Sequence, residues 1–238
     1  MDQKIDYERF AAVIKESGAD LAGLQEVAID HPFAPPHLHD PLNLLGEKLA
    51  MEPFFARTVA PEYKGKLYYY GIGTLSRKKI LQKTILPLPE MEGAERRVAM
   101  FLTVEAEEEK EILFINTHLD CTSGSKGEDL RAKQMGAILE KWKQMGSPPA
   151  ILTGDLNAVP ASAALKVLQE AQWCLAGDDS FTFPSDTPEM KIDYIAFAPA
   201  GAFKVTECKV IPDSIASDHR PVTAALELLF QRRVRQAP

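Results

Sequence analysis

Five apolar runs in this chain each carry an acid, an amide or an imidazole at or near one end. LAGLQ leads to Glu26, LFINT to His118 and Asp120, and ILTG to Asp155 and Asn157. Asp218 and His219 stand just ahead of RPVTAALEL, and Asp193 lies inside KIDYIAF. Runs of this length and composition read as strands. Aspartate is disfavoured in a strand, and a buried one needs a partner or a metal. Taken alone, AILTGDLNAVP reads as a strand entering a Gly-Asp-Asn turn, and any one of the histidines or acids reads as a hydrogen-bonded structural residue. Taken together, the polar ends point to convergence on one site.

The rest of the chain frames these runs. An amphipathic helix is predicted over KIDYERFAAVIKESG, with Asp6 as its N-cap and Gly18 as its stop. Further helices are expected at PLNLLGEKLAM, at KGEDLRAKQMGAILEKWKQMG and at SAALKVLQEAQ. EPFFARTVA, KLYYYGIGTLSR, RRVAMFLTVEAE, FTFPS and KVTECKVIP read as additional strands, with Glu107, Glu108 and Glu109 at a solvated hairpin tip. Strands outnumber helices and alternate with them irregularly, so the expectation is a mixed α/β (α+β) chain. No repeat, linker or composition shift divides it, and residues 1–238 read as one domain ending in a basic tail over 231–238.

Composition removes several function classes. A net charge of −7 weakens bulk binding to nucleic acid, which rests on Lys and Arg neutralising phosphates. The three cysteines are widely spaced with no CxxC pair, against a disulfide framework or structural zinc and in keeping with a reducing compartment. No apolar run approaches the ~18 residues of a membrane span, so no membrane insertion is expected and the default location is the cytoplasm. The oligomeric state is left open.

The chemistry that suits these polar ends is metal-assisted hydrolysis at phosphorus. Mg²⁺ takes oxygen ligands, one or two carboxylates plus water and substrate phosphate, and Glu26 and Asp218 can supply the carboxylates. Mn²⁺ is the alternative ion. Asp155 can align or deprotonate the attacking water. Asn157 and a protonated His118 can hold non-bridging phosphate oxygens as charge builds. His219 needs a carboxylate to fix its tautomer, and Asp193 can do that.

LQEV, NTHLD, TGDLNAVP, KIDYIAF and SDHRPV, in that order, resemble the endonuclease/exonuclease/phosphatase superfamily across nearly the whole chain. The resemblance implies a four-layer sandwich, two mixed β-sheets face to face with helices outside. It implies that Glu26 binds metal, that His118 contacts the scissile phosphate and that Asp155 orients or activates water. Asn157 would steady the transition state, Asp193 would orient a histidine, Asp218 would be a metal-proximal carboxylate and His219 the catalytic histidine. Arg131 and Gln134 occupy positions read as structural. The substrate expected is a phosphodiester or phosphomonoester, a small molecule or lipid head group ahead of nucleic acid. The rival is a non-catalytic relative that serves as a binding module.

Other features read as structural. His31, His37 and His39 lie in a proline-rich loop without the spacing of a zinc motif. Tyr68, Tyr69 and Tyr70 read as sheet packing, and the glycines of GIG have no helix after them. The resemblance also implies an apolar strand with a pattern near TYNI ahead of the first helix, whereas this sequence opens at MDQKIDYERF. The expectation drawn from that is a truncated chain, less stable and less active than one extended upstream, whose missing part could hide a signal peptide.

Overall fold

The computed structural model describes residues 6–107, 110–177 and 179–229. The basic tail at 231–238 and the glutamates 108 and 109 of the expected hairpin tip lie outside them.

In chain order the elements are α1 (Tyr7–Ser17), β1 (Leu21–Ile29), α2 (Pro41–Leu49), β2 (Glu52–Val59), β3 (Glu62–Tyr63) and β4 (Lys66–Leu67). There follow β5 (Tyr69–Ser76), β6 (Ile80–Pro87), β7 (Val98–Glu107), β8 (Lys110–His118), α3 (Gly124–Gln144) and β9 (Ala150–Asp155). The last are α4 (Ala163–Glu170), β10 (Cys174–Leu175), β11 (Asp193–Ala198), β12 (Phe203–Val210) and β13 (Val222–Leu228). Local chemistry sets the helix ends. Asp6 accepts from the Glu8 N–H at 3.0 Å, Asp40 accepts from the Asn43 N–H at 3.0 Å, and Gly18 closes α1 in the left-handed region.

The central sheet has six strands in the order β10-β11-β9-β8-β7-β6, with β8 and β9 parallel and the other pairs antiparallel. One face carries α3 and α4 over a core that includes Phe101, Leu113, Ile115, Met135, Leu152 and Trp173. The opposite face meets a second strand layer through Met100, Leu102, Phe114, Phe197 and Phe203. That layer consists of an antiparallel sheet β1-β5-β2 and an antiparallel pair β12-β13. Helices α1 and α2 cover the outside of the first of these through Ile14, Leu42, Leu45 and Leu75. Helix, strand, strand and helix layers together make the four-layer sandwich.

Some elements differ from the reading of the sequence. FTFPS forms no strand; its one ladder contact is an isolated bridge between Phe183 and Met190. Two prolines follow closely at 184 and 188, and each removes a backbone donor. ILQKTILP, too polar on one face to stand out, is the edge strand β6. Asp193 is the first residue of β11 rather than an interior one, which removes the propensity conflict. No helix among the described residues is long and apolar enough to cross a membrane.

Candidate active site

The register of the central strands assembles much of the site. His118 on β8 lies opposite Asp155 on β9, and Asp155 lies opposite Asp193 on β11. Three of the polar-ended runs therefore finish level on adjacent strands, about 4.8 Å apart. Gly154 permits the approach, because a Cβ there would stand 2.3 Å from the Thr117 carbonyl oxygen.

Asp155 is 5% exposed and its carboxylate is fully engaged. Oδ1 accepts the Asn157 backbone N–H at 2.8 Å, while Oδ2 lies 3.4 Å from His118 Nε2 and 3.9 Å from His219 Nε2. The turn and the site are thus the same object: Asn157 takes φ 46°, a left-handed conformation that asparagine tolerates, and its side chain swings back to the Leu119 carbonyl at 3.1 Å. Its amide nitrogen is also 3.1 Å from His118 Nε2. Burial alone would raise the Asp155 carboxyl. The hydrogen bond and charge of His118, then the Asn157 N–H and the charge of His219, outweigh burial and hold it below the usual carboxylate range.

His219 behaves oppositely. Its Nδ1 is 2.9 Å from Asp193 Oδ2, and the Phe183 ring lies 4.7 Å from its own. Burial opposes a charged ring, yet the hydrogen bond and charge of Asp193, with the charges of Asp155 and Asp218, push its pKa up to about 9. Asp193 itself is raised, chiefly by burial and partly by the Asp155 charge. Thr182 steadies this edge, its hydroxyl accepting from the Ile192 and Asp193 N–H groups at 3.2 and 3.3 Å.

His118 meets a nitrogen donor at each ring nitrogen. Arg97 Nη1 stands 3.0 Å from its Nδ1, and a guanidinium has only N–H groups to offer. Nδ1 therefore accepts from Arg97, while Nε2 lies between the Asn157 amide nitrogen at 3.1 Å and Asp155 Oδ2 at 3.4 Å. Arg97 is 5% exposed and also pairs with Glu95 at 3.0 Å.

Glu26 sits on a bulge of β1 between Leu24 and Val27, at φ 57° and exposed. A left-handed non-glycine residue costs on the order of 1–3 kcal/mol. Its carboxylate hydrogen-bonds the Tyr70 phenol, whose pKa is raised by burial first and then by the charges of Glu26 and Glu95. Asp218 precedes His219 and receives the Ser217 hydroxyl at 3.4 Å. Among the described residues, the group of three or more acids, histidines or cysteines close enough to share an ion is Asp155, Asp193 and His219, with ligand atoms within 4.8 Å of one another. Glu26 and Asp218 are outside it. The donor set around the mouth is nonetheless dominated by carboxylate oxygens, the ligands a hard divalent cation takes, and the exposed Glu26 carboxylate is held by one phenol. The residues present fit such an ion.

The residues read as structural sit beneath the site. Gln134 accepts the Asp120 N–H at 2.9 Å, and Arg131 donates to the carbonyls of Asp120 and Thr122 at 3.0 and 2.9 Å. In the histidine loop, His39 pairs with Asp30 at 3.5 Å and His31 meets the Tyr68 ring edge-on at 5.1 Å. The sequence reading passed over Arg97 and Tyr70. Arg97 had a usable signal, a charge directly ahead of an apolar strand, the same mark that flagged the other runs. Tyr70 had none, because alternation cannot say which of three tyrosines faces the mouth.

The sequence model of the Endonuclease/Exonuclease/phosphatase family matches residues 3–219. No curated protein matches the chain. An endonuclease/exonuclease/phosphatase from Beutenbergia cavernae is 26% identical, with a TM-score of 0.77, over 95% of this chain and 67% of that one. A mannosyl-6-phosphatase of Bacteroides thetaiotaomicron is 23% identical, with a TM-score of 0.74, over 93% of this chain and 90% of its own. The catalytic domain of human Nocturnin, solved with a bound sulfate, is 20% identical, with a TM-score of 0.73, over 95% and 88% of the two chains. The last two likenesses concern the fold.

Proposed function

We propose that this chain, which belongs to the endonuclease/exonuclease/phosphatase family, hydrolyses phosphate esters with a water aligned by Asp155. The observation that carries the reading is the opposed state of two neighbours, an Asp155 carboxyl held ionised and a His219 ring pushed up to about 9, 3.9 Å apart at one mouth. Pairs of groups driven apart in this way divide into proton acceptor and proton donor.

Asp155, fixed by the Asn157 N–H, accepts the proton of the attacking water. His219, protonated near neutral pH and oriented by Asp193, sets an N–H and a positive charge against the phosphate oxygens. His118, with its Nδ1 tied to Arg97, directs its Nε2 toward Asp155, and Asn157 steadies the same edge. Donors placed beforehand where charge grows are commonly the largest contribution to such catalysis. Glu26 and Asp218 are the carboxylates that would hold a divalent cation, Mg²⁺ with Mn²⁺ as the alternative, which when bound supplies positive charge to the phosphate.

The ester favoured is a small molecule or lipid head group rather than duplex nucleic acid, because the chain is acidic. The polar set, complete but for a residue of the first family strand, weighs against a non-catalytic binding module. The test is phosphate release from sugar phosphates, nucleotides and phosphodiesters, and nicking of plasmid DNA, each with Mg²⁺, Mn²⁺ or EDTA. Release that needs the metal and vanishes in Asp155→Asn is expected. Absence of turnover on every ester, or turnover indifferent to EDTA, would sink the reading.

A further inference from the structure

An open hollow of about 410 Å³, with both charged and apolar walls, lies between the end of β2 and the segment entering β7. Its walls include Arg57, Thr58, Glu95 and Arg96. Two contacts join it to the chemistry: Glu95 Oε1 lies 3.0 Å from Arg97 Nη1, and the same nitrogen lies 3.0 Å from His118 Nδ1. Tyr70, on the strand next to Arg57, feels the charges of Glu95, Arg97 and Glu26 alike, so cavity and mouth share one electrostatic neighbourhood.

The charges of the cavity are unevenly spent. Glu95, its acid, is committed to Arg97. Arg96 faces Glu90 at 3.4 Å, but those side chains are 73% and 55% exposed, and solvent screens so wet a pair. Arg57 has no carboxylate within ion-pair distance among the described residues; its guanidinium lies 5.5 Å from the centre of the Tyr69 ring. Stacking on the ring limits its rotation and leaves its N–H edge for a planar or tetrahedral anion, the geometry that suits phosphate or carboxylate. An acidic chain that places two loosely held arginines in one hollow has built a local exception to its own charge.

We infer that the cavity between Arg57 and Arg96 is a second anion subsite, and that the substrate is a small phosphate ester carrying another phosphate on the same molecule. This rests on the hydrolase reading for its catalytic half, while the subsite itself stands on the cavity and its arginines. A sugar bisphosphate and a nucleoside bisphosphate share the required chemistry.

The experiment compares kcat/KM in Mg²⁺ for matched pairs: glucose 1,6-bisphosphate against glucose 6-phosphate, and adenosine 3′,5′-bisphosphate against adenosine 5′-monophosphate. In the native chain at least one pair is expected to favour the bisphosphate by about tenfold or more, and the pair that does so identifies the carrier. Arg57→Gln and Arg96→Gln, singly or together, should bring that ratio close to one. Lys78→Gln, which removes the same charge beside Asp20, should leave it in place. A native ratio near one for both pairs, or a preference that survives the double substitution, overturns the subsite. If no ester is turned over, the hydrolase reading fails, and calorimetric binding of the two bisphosphates decides the cavity separately. An affinity that falls about tenfold in the double variant supports it; absence of binding, or equal affinity, removes it.

Discussion

The two strand layers are built differently. In the six-stranded sheet, β7 and β8 are buried for most of their length, and His118 and Asp155, at the ends of β8 and β9, are 3% and 5% exposed. In the β1-β5-β2 sheet the strands flanking β5 are half-buried, Glu26 stands exposed on a bulge, and Arg57 lies at the surface. The deep layer holds groups whose protonation must not vary, and burial there makes each hydrogen bond decisive for charge. The thin layer holds groups open to solvent, Glu26 and Arg57 among them. Rigidity and access are divided between the layers, and the mouth lies where they meet.

The largest expected effect tests the deep side. Asp155→Asn keeps the hydrogen bond from the Asn157 N–H but loses the proton acceptor, so kcat should fall on the order of 10³-fold with the circular dichroism spectrum unchanged. A variant with native turnover would take Asp155 out of the chemistry. Next, Phe101→Ala in the central sheet should cost ~3–5 kcal/mol in urea unfolding. Phe54→Ala on β2, half-buried, should cost less than half as much. Equal costs would erase the difference between the layers. Glu26→Gln addresses the thin side: the Mg²⁺ needed for half-maximal activity should rise by about tenfold or more, while the melting temperature in EDTA stays within about 2 °C. A change in melting temperature without a change in metal demand would make Glu26 structural.

The smallest effect is a pH slope. The folded pKa of His219 lies above its ordinary value of 6.5, at about 9, so the folded chain holds a proton that the unfolded chain releases. The stability from this pair is complete below pH 6.5 and is lost as pH rises through 9. Unfolding in EDTA should therefore show stability declining over that window, and His219→Gln should flatten the decline. An unaltered slope in the variant would assign it to another group.

Much of the mouth was legible because its residues lie at strand ends, where a polar residue after an apolar run is conspicuous. His118, Asp155 and Asp193 could be recognised as a set, but that they stand level on three adjacent strands could not. Register depends on the parallel pairing of β8 with β9 across the long α3 connection, which no local pattern encodes. The helices were read well, since capping residues such as Asp6 and Gly18 act within one turn. FTFPS misled because β-propensity describes a fit to neighbours, and its backbone bonds go to Met190, Asp218 and Arg220 in separate segments, so no ladder forms. The Nδ1 partner of His118 was missed for a related reason: it is Arg97, which is 21 residues away in the chain.

The close approach at Gly154 has a consequence for engineering. A library that randomises the end of β9 and the turn after it, Thr153 to Asn157, to change substrate preference is not free at each position. Every clone with a side chain at 154 must push β9 away from the Thr117 carbonyl, separating Asp155 from His118 before any new contact is sampled. The evolvable alphabet of this segment is therefore narrow at position 154, and the same holds at Gly71 in the outer sheet, where a Cβ would stand 2.1 Å from the Ala56 carbonyl oxygen.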